Sequence, residues 1–422
     1  MSFIIGTVLL KGLPARQQSP MGVPGNVFRQ VQICLRVSRT YIFTVIPLLR
    51  HGSLKRLLDL EDIRMDFKVL NEQIAALDKN AMVASKEKWN SLAKPIGSLG
   101  LLEDAIIKMA GLTGNVEVNI NKRAVLVLCA DNGVVAEGVT QAGSDITTLV
   151  AGNIAKGCAS VCLMASVARA DIVAVDMGMI EKSDVKSILD RNIAPGTGNI
   201  AHGAAMTCEQ ALQAIHTGME LVKDYKAKGY KIFATGEMGI GNTTTASAIA
   251  AVLLGKPVHE VTGFGAGLSD DGLQHKIDII EQAIKVNSPK PQDALDVLMK
   301  LGGFDIAAMA GIFLGGALYR VNILIDGFIS AVSALVAARL CPAAVCAMLA
   351  SHVSAEPAAR MVLNALALPP LINAEMRLGE GTGAVAALPL LDMALAVYHD
   401  MSSFSDIGMQ AYTPLGGYKC EL

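Results

Sequence analysis

Four short apolar runs in this chain of 422 residues each stop at an acidic residue beside glycine. Residues 124–130 (AVLVLCA) run into Asp131-Asn132-Gly133, and 172–175 into Asp176 and Gly178. Residues 231–235 (KIFAT) run into Gly236-Glu237, and 321–325 (VNILI) into Asp326-Gly327. Short apolar runs without polar alternation read as strands covered on both faces. Between them lie stretches of helical length and period, such as 207–226 and 272–286. Strands alternating with helices give a parallel sheet with helices on both sides, so the expected class is α/β. In such sheets ligands sit beyond the carboxyl ends of the strands. Asp and Gly are also ordinary turn residues, which explains any one of these ends. All four together point to a site.

Composition removes several other classes. Apolar residues make up 52% and charged residues 18%, which is incompatible with disorder along the whole chain. The net charge of −2 gives no basic field for a nucleic acid. The eight cysteines (Cys34, Cys129, Cys158, Cys162, Cys208, Cys341, Cys346 and Cys420) form no CxxC and no metal-ligand set. They read as small residues in a reducing, cytoplasmic compartment. Three apolar stretches, 328–353, 303–319 and 381–398, are long enough to raise the question of a membrane span. They are rich in Ala and Gly, and Pro342 splits the longest, so buried helices of a large core are expected and no membrane contact.

Charge is unevenly distributed. Residues 1–64 carry nine Lys/Arg against three Asp/Glu, and the first acid is Asp59. An acid-poor, Arg-containing start resembles a targeting segment in composition. A start at Met65 with untranslated sequence upstream is the favoured reading, and a structured extension is the third. Residues 27–64 show weak helical periodicity.

The loops that follow the strands carry the chemistry. Residues 236–245 (GEMGIGNTTT) lie between a strand and a helix, where bare backbone N–H groups attract an anion. They form neither a Walker loop nor a GxGxxG turn, which argues against a dinucleotide oxidoreductase. Residues 377–383 (RLGEGTG) set one Glu between two glycines at the start of an apolar helix. That Glu is either a solvated loop residue or a carboxylate displayed on thin backbone. In the second case apolar surroundings raise its pKa, which suits a general base. Further glycine loops are 263–267 (GFGAG), followed by Lys276, and 302–305 (GGFD). Residues 351–356 (SHVSAE) offer His352 beside Ser354, but no G-x-S-x-G elbow supports a hydrolase.

Taken jointly, KPIGSLGLLE (94–103), CADNGV (129–134), GEMGIGNTTT (236–245), GGFD (302–305), DGF (326–328), SHVSAE (351–356) and MRLGEGTG (376–383) stand in the order and spacing of one family. The chain resembles the nicotinate-nucleotide–dimethylbenzimidazole phosphoribosyltransferases over about residues 65–400. The resemblance implies a Rossmann-like parallel sheet in a large catalytic domain (123–383). It also implies a small helical domain made from both ends (65–122 and 384–422), with 1–64 outside it. It implies a homodimer, although a heterodimer with a paralogue remains open, and it implies neither cofactor nor metal. The implied substrates are nicotinate mononucleotide and an aromatic base, and the implied product is α-ribazole 5′-phosphate when the base is dimethylbenzimidazole.

By the same resemblance Glu380 is the catalytic base, and Glu237 is a second carboxylate near the reacting ribose. Gly239, Gly265, Lys276, Asp305, Ser354, Leu378 and Gly379 fall in or around the nucleotide pocket. The Gly265 backbone and Lys276 suit the phosphate, and Asp305 suits a hydroxyl. The sequence departs from the family where the base is bound. Ala142-Gly143 stand for a Ser-Pro pair, Val150 for a Gln and Met238 for a Leu. Fewer polar groups there imply a less decorated acceptor, such as another benzimidazole or a phenol. A non-catalytic nucleotide-binding subunit is the alternative from a different class, and the retained Glu380 and Glu237 weigh against it.

Overall fold

The computed structural model describes residues 30–37, 40–47 and 65–413. Contacts divide the chain between Asp62 and Ile63. In the first unit, strands β1 (Gln30–Val37) and β2 (Thr40–Pro47) pair antiparallel, with Val37 opposite Thr40 and Gln30 opposite Pro47. This corrects the helical reading of these residues. Val, Ile, Thr, Tyr and Phe favour strand conformation. The rest of 1–64 lies outside the described residues.

The second unit is built on six parallel strands. They are β3 (Arg123–Ala130), β4 (Asp171–Gly178), β5 (Leu189–Asp190), β6 (Ile232–Met238), β7 (Asn322–Ile325) and β8 (Met348–Ala350). Their order is β5-β4-β3-β6-β7-β8. All four expected strands are present, whereas β5 and β8, at two and three residues, were too short to show a period.

Side-chain alternation sorts the strand residues onto two cores. Leu126, Leu128, Phe233 and Ile323 face one layer, with helices Cys208–Ala227, Phe304–Leu318 and Phe328–Leu340. Val125, Val127, Ala234 and Leu324 face the other, with helices Leu101–Thr113, Ser160–Val167 and Thr382–Asp400. The sheet is therefore covered on both sides, as expected of runs without polar alternation. In the first layer, helices Cys208–Ala227 and Phe304–Leu318 pack backbone to backbone. A Cβ on Gly218 would stand 1.9 Å from Ala308 O, and one on Gly311 1.9 Å from Ile215 O.

The two ends of this unit meet. Trp89 packs on Tyr398 with ring centroids 4.9 Å apart, and Phe404 N donates to Ser91 O at 2.9 Å. The apolar stretches flagged above are largely interior. Helix Phe304–Leu318 is buried from Phe304 to Ala317. Residues 328–353 divide into helix Phe328–Leu340, a 3-10 turn at Pro342–Ala347, and β8. Among the described residues, Asp145–Val167 and Thr382–Asp400 are apolar and long enough to cross a membrane, and they are 33% and 56% buried within the protein. The second carries Asp392, which Arg123 grips through two nitrogens at 3.0 and 2.7 Å.

Candidate active site

The four acids at the strand ends have separate fates. Asp176 Oδ1 accepts from the backbone N–H of Gly178 and Met179, and Asn192 donates to both oxygens, so this acid holds a turn. Asp131 Oδ2 accepts from Ile180 N at 2.8 Å. Asp326 accepts from Gly381 N at 3.2 Å and Ala384 N at 2.9 Å. It thereby caps helix Thr382–Asp400, which has no capping side chain of its own. Glu237 is different. It sits within β6, paired opposite Leu128 of β3, and together with Asp326 it borders a cavity of about 270 Å³. A ladder residue is held more firmly than a loop residue.

Glu380 borders the same cavity. Gly379, Glu380 and Gly381 have φ of 84°, 61° and 97°, three successive residues in the left-handed region. Such a conformation costs a side-chain-bearing residue about 1–2 kcal/mol and persists where packing enforces it. The packing here is tight. A Cβ on Gly236 would stand 2.5 Å from Glu380 O, and one on Gly379 would stand 2.5 Å from Glu237 Oε1. Bare backbone on both segments thus lets the two carboxylate-bearing stretches touch. Val161 N, in the first turn of helix Ser160–Val167, donates to Glu380 Oε2 at 3.4 Å.

Both carboxyl groups titrate above the ordinary range. Burial pushes Glu237 up to about 8; Asp305 and Asp326 add to the rise, and Asn242 opposes it. Burial also raises Glu380, helped by Asp326 and opposed by the Val161 N–H. Elsewhere on the cavity wall, Lys276 is 1% exposed and donates to Thr243 Oγ1 at 2.9 Å and Gly263 O at 3.3 Å. Burial lowers its pKa to about 8, and Glu356 opposes the fall. A Cβ on Gly265 would stand 3.2 Å from Lys276 Nζ, so backbone and ammonium form one cradle. An anion there would relieve a buried cation short of counter-charge. A wider recess adjoins the cavity and shares Phe264, Gly265, Glu356, Arg377 and Leu378 with it.

Comparison with known proteins gives the family of the chain as a whole. A family pattern described as phosphoribosyltransferase matches residues 74–409. A nicotinate-nucleotide–dimethylbenzimidazole phosphoribosyltransferase of Ruminiclostridium cellulolyticum is 44% identical over 351 residues, covering 83% of this chain and 100% of the relative. The enzyme of the same name from Acetivibrio thermocellus is 46% identical over 343 residues, covering 81% and 98%. The crystal structure of CobT from Thermus thermophilus superposes with a TM-score of 0.74 at 37% identity, over 78% of this chain and 99% of that one. The chain belongs to the nicotinate-nucleotide–dimethylbenzimidazole phosphoribosyltransferase family.

Most residues that the family motifs single out converge in this member. Glu237, Met238, Gly239, Val150, Gly265, Lys276, Ser354, Leu378, Gly379 and Glu380 all border the cavity. Two do not. Asp305 is fully buried and accepts from Asn242 at 3.0 Å, off the cavity wall. Ala142 is off the cavity wall, and its neighbour Gln141 lines it instead, with Nε2 donating to Gly267 O. Gln141 thus places a polar group on the same wall as the apolar Val150. Asn242, Thr243, His352, Glu356 and Arg377 also line the cavity. All five lie inside the quoted motifs, but no periodicity distinguishes a lining residue from its neighbours there. Among the described residues no group of three or more His, Cys, Asp or Glu could hold a metal ion.

Proposed function

We propose that this chain transfers the phosphoribosyl group of nicotinate mononucleotide to an aromatic base, releasing nicotinate. With 5,6-dimethylbenzimidazole the product is α-ribazole 5′-phosphate, a step in assembling the nucleotide loop of cobalamin. The observation that carries this reading is Glu380, held on three left-handed residues at the rim of a cavity that also contains a buried lysine.

Nicotinate leaves as a neutral pyridine ring, taking the electron pair of the C1′–N bond, so it needs no proton. The ribose passes through an oxocarbenium-like state, and the base nitrogen attacks C1′ from the opposite face, which inverts it. The attacking ring then carries one N–H proton too many, and Glu380 accepts it. Glu380 suits this task because its raised pKa makes it a better proton acceptor than a solvated carboxylate. Glu237, once ionised, supports the cationic ribose electrostatically. Lys276 and the Gly265 backbone hold the phosphate, and Ser354 and Leu378 complete the nucleotide side. Binding both substrates in one cavity supplies the positioning that the reaction otherwise lacks.

Val150 and Met238 place apolar surface on the cavity wall, which favours a weakly decorated acceptor, including a phenol such as p-cresol. The same reading takes the packed ends of the chain as a small helical domain, and the protein as cytoplasmic and homodimeric. Leu163 and Val167, 66% and 80% exposed on helix Ser160–Val167, support a subunit contact. The deciding experiment is product mass after incubating the protein with nicotinate mononucleotide and a panel of dimethylbenzimidazole, p-cresol and adenine. A ribotide of one of the first two is expected. No product with any of them would leave only a nucleotide-binding role.

A further inference from the structure

Asn242 opens helix Asn242–Leu254, directly after Gly241, whose φ of 89° turns the backbone away from β6. Its Nδ2 donates to Glu237 Oε2 and, at 3.0 Å, to Asp305 Oδ2. Asn242, Glu237 and Asp305 are 4%, 8% and 0% exposed. Asp305 is fixed in its turn, because its Oδ1 accepts from Ile306 N at 2.9 Å at the start of helix Phe304–Leu318. Two carboxyl groups this close in a dry interior oppose each other's ionisation. A primary amide carries no charge and offers two N–H donors from one nitrogen, so it can bind both at once.

The arrangement also sets direction. Glu237 Oε2 is tied back to Asn242, and Oε1 lies beside Gly379, next to Glu380. We infer that Asn242 is a positioning residue: it turns one oxygen of Glu237 toward the Glu380 loop and couples that carboxylate to Asp305, which acts through Asn242 and touches no ligand. The inference rests on the proposed role of Glu237 in supporting the cationic ribose.

The charged and titratable groups around Glu237 are Asp305, Asp326, the Glu380 loop and the Cys129 thiol of β3. Burial holds that thiol protonated, so it carries no charge into the balance. Of the rest, Asp305 and Asp326 favour neutral Glu237, while the Asn242 amide and the Glu380 backbone favour the ionised form. Asp305 is itself pushed up to about 6 by burial, with Asn242 again opposing. The amide and Asp305 therefore push Glu237 in opposite directions, and substituting each must move its titration oppositely.

The test is the acid side of the pH profile of kcat, measured on the full chain with nicotinate mononucleotide and saturating dimethylbenzimidazole. It uses Asn242→Leu, Asp305→Asn and Glu237→Gln, with thermal melting as the check on folding. Glu237→Gln is expected to remove one ionisation from the acid side and leave that of Glu380. Asn242→Leu should move the Glu237 ionisation up by about one pH unit and lower kcat about ten- to a hundredfold with KM little changed. Asp305→Asn keeps shape and acceptor but removes a charge, and should move it down by about half a unit. It carries the test alone if Asn242→Leu does not fold. A merely structural role cannot produce shifts of opposite sign. If Glu237→Gln loses its ionisation while the other two variants shift it the same way or not at all, this inference alone is overturned. If Glu237→Gln keeps the full profile of the unaltered protein, the role of Glu237 falls as well.

Discussion

Glu237 and Glu380 border one cavity, yet they are held by opposite means. Glu237 is a rung of the sheet, nine-tenths buried, with one oxygen tied to a neutral amide. Glu380 stands on three residues with positive φ, half-buried, and a long 3.4 Å hydrogen bond from a helix N-terminus is its one side-chain restraint among the described contacts. The ladder gives Glu237 a fixed place and a dry setting, which suits a charge that supports another charge. The hinge gives Glu380 proximity to the incoming ring and contact with water between turnovers, which suits a group that must gain and lose a proton. In the proposed reaction, burial and tethering suit two chemically identical side chains to different tasks.

If that separation is right, Glu380→Gln should have the largest effect. It keeps the shape and removes the proton acceptor, and general-base catalysis is worth about 10²–10⁴ in rate. Steady-state kinetics should show the loss in kcat, with KM for nicotinate mononucleotide nearly unchanged. A rate within twofold of the unaltered protein would give the proton to another group.

Gly381→Ala comes next, because it tests the hinge without touching either acid. Its Cβ would stand 2.8 Å from Val125 Cγ1 on a backbone with φ of 97°. The Glu380 loop must then shift, and a displacement near 1 Å costs about a hundredfold in rate. The fold should also lose about 1–3 kcal/mol of stability, visible by denaturant titration. If activity fell only in proportion to unfolding, the hinge would not be an aligning device.

Lys276→Met probes the far side of the same cavity. A charge-assisted contact to phosphate predicts a KM for nicotinate mononucleotide raised roughly 10–100-fold while kcat falls much less. The opposite split, with kcat lost and KM kept, would move Lys276 from binding to the chemistry.

The buried member of the pair also leaves a mark on stability. Glu237 is raised from 4.5 to about 8 in the folded protein, so folding favours its neutral form. Its favourable contribution is complete below pH 4.5 and is lost as pH rises toward 8. Glu237→Gln cannot ionise, so the empty variant should be the more stable protein at pH 8, by about 1–3 kcal/mol. The advantage should vanish near pH 4.5. Equal pH dependence of melting in both proteins would mean that Glu237 is solvated when the site is empty.

Much of this was legible in the sequence because it rests on patterns that chemistry repeats. Apolar runs without alternation announced β3, β4, β6 and β7, and the Gly-Glu-Gly triplet announced Glu380. What stayed hidden depends on distances that no spacing encodes. Asp131, Asp176 and Asp326 look like Glu237 in sequence, and only the fold shows that each of them accepts from backbone N–H groups at a turn or a helix start. Asp305 sits in a family motif, yet its side chain is fully buried and bonded to the Asn242 amide. Strands β5 and β8 were missed because two or three residues cannot display a period, and their pairing is enforced by neighbours already in place.

The smallest expected effect concerns the acceptor side of the cavity, where the sequence comparison and the structure differ most. Ala142 is off the wall and Gln141 is on it, so the departure that matters reduces to Val150 and Met238. Gln141 spends its Nε2 on Gly267 O, which leaves Val150 as the position where a new polar group could meet the acceptor's edge. Val150→Gln should therefore raise kcat/KM for adenine relative to p-cresol by about three- to tenfold, the size expected when one hydrogen-bonding group enters an apolar wall. Both acids are untouched by this substitution, so kcat with dimethylbenzimidazole should change less than the preference does. A loss of rate with every acceptor alike would mean that Val150 shapes the approach to Glu380 rather than the choice of ring.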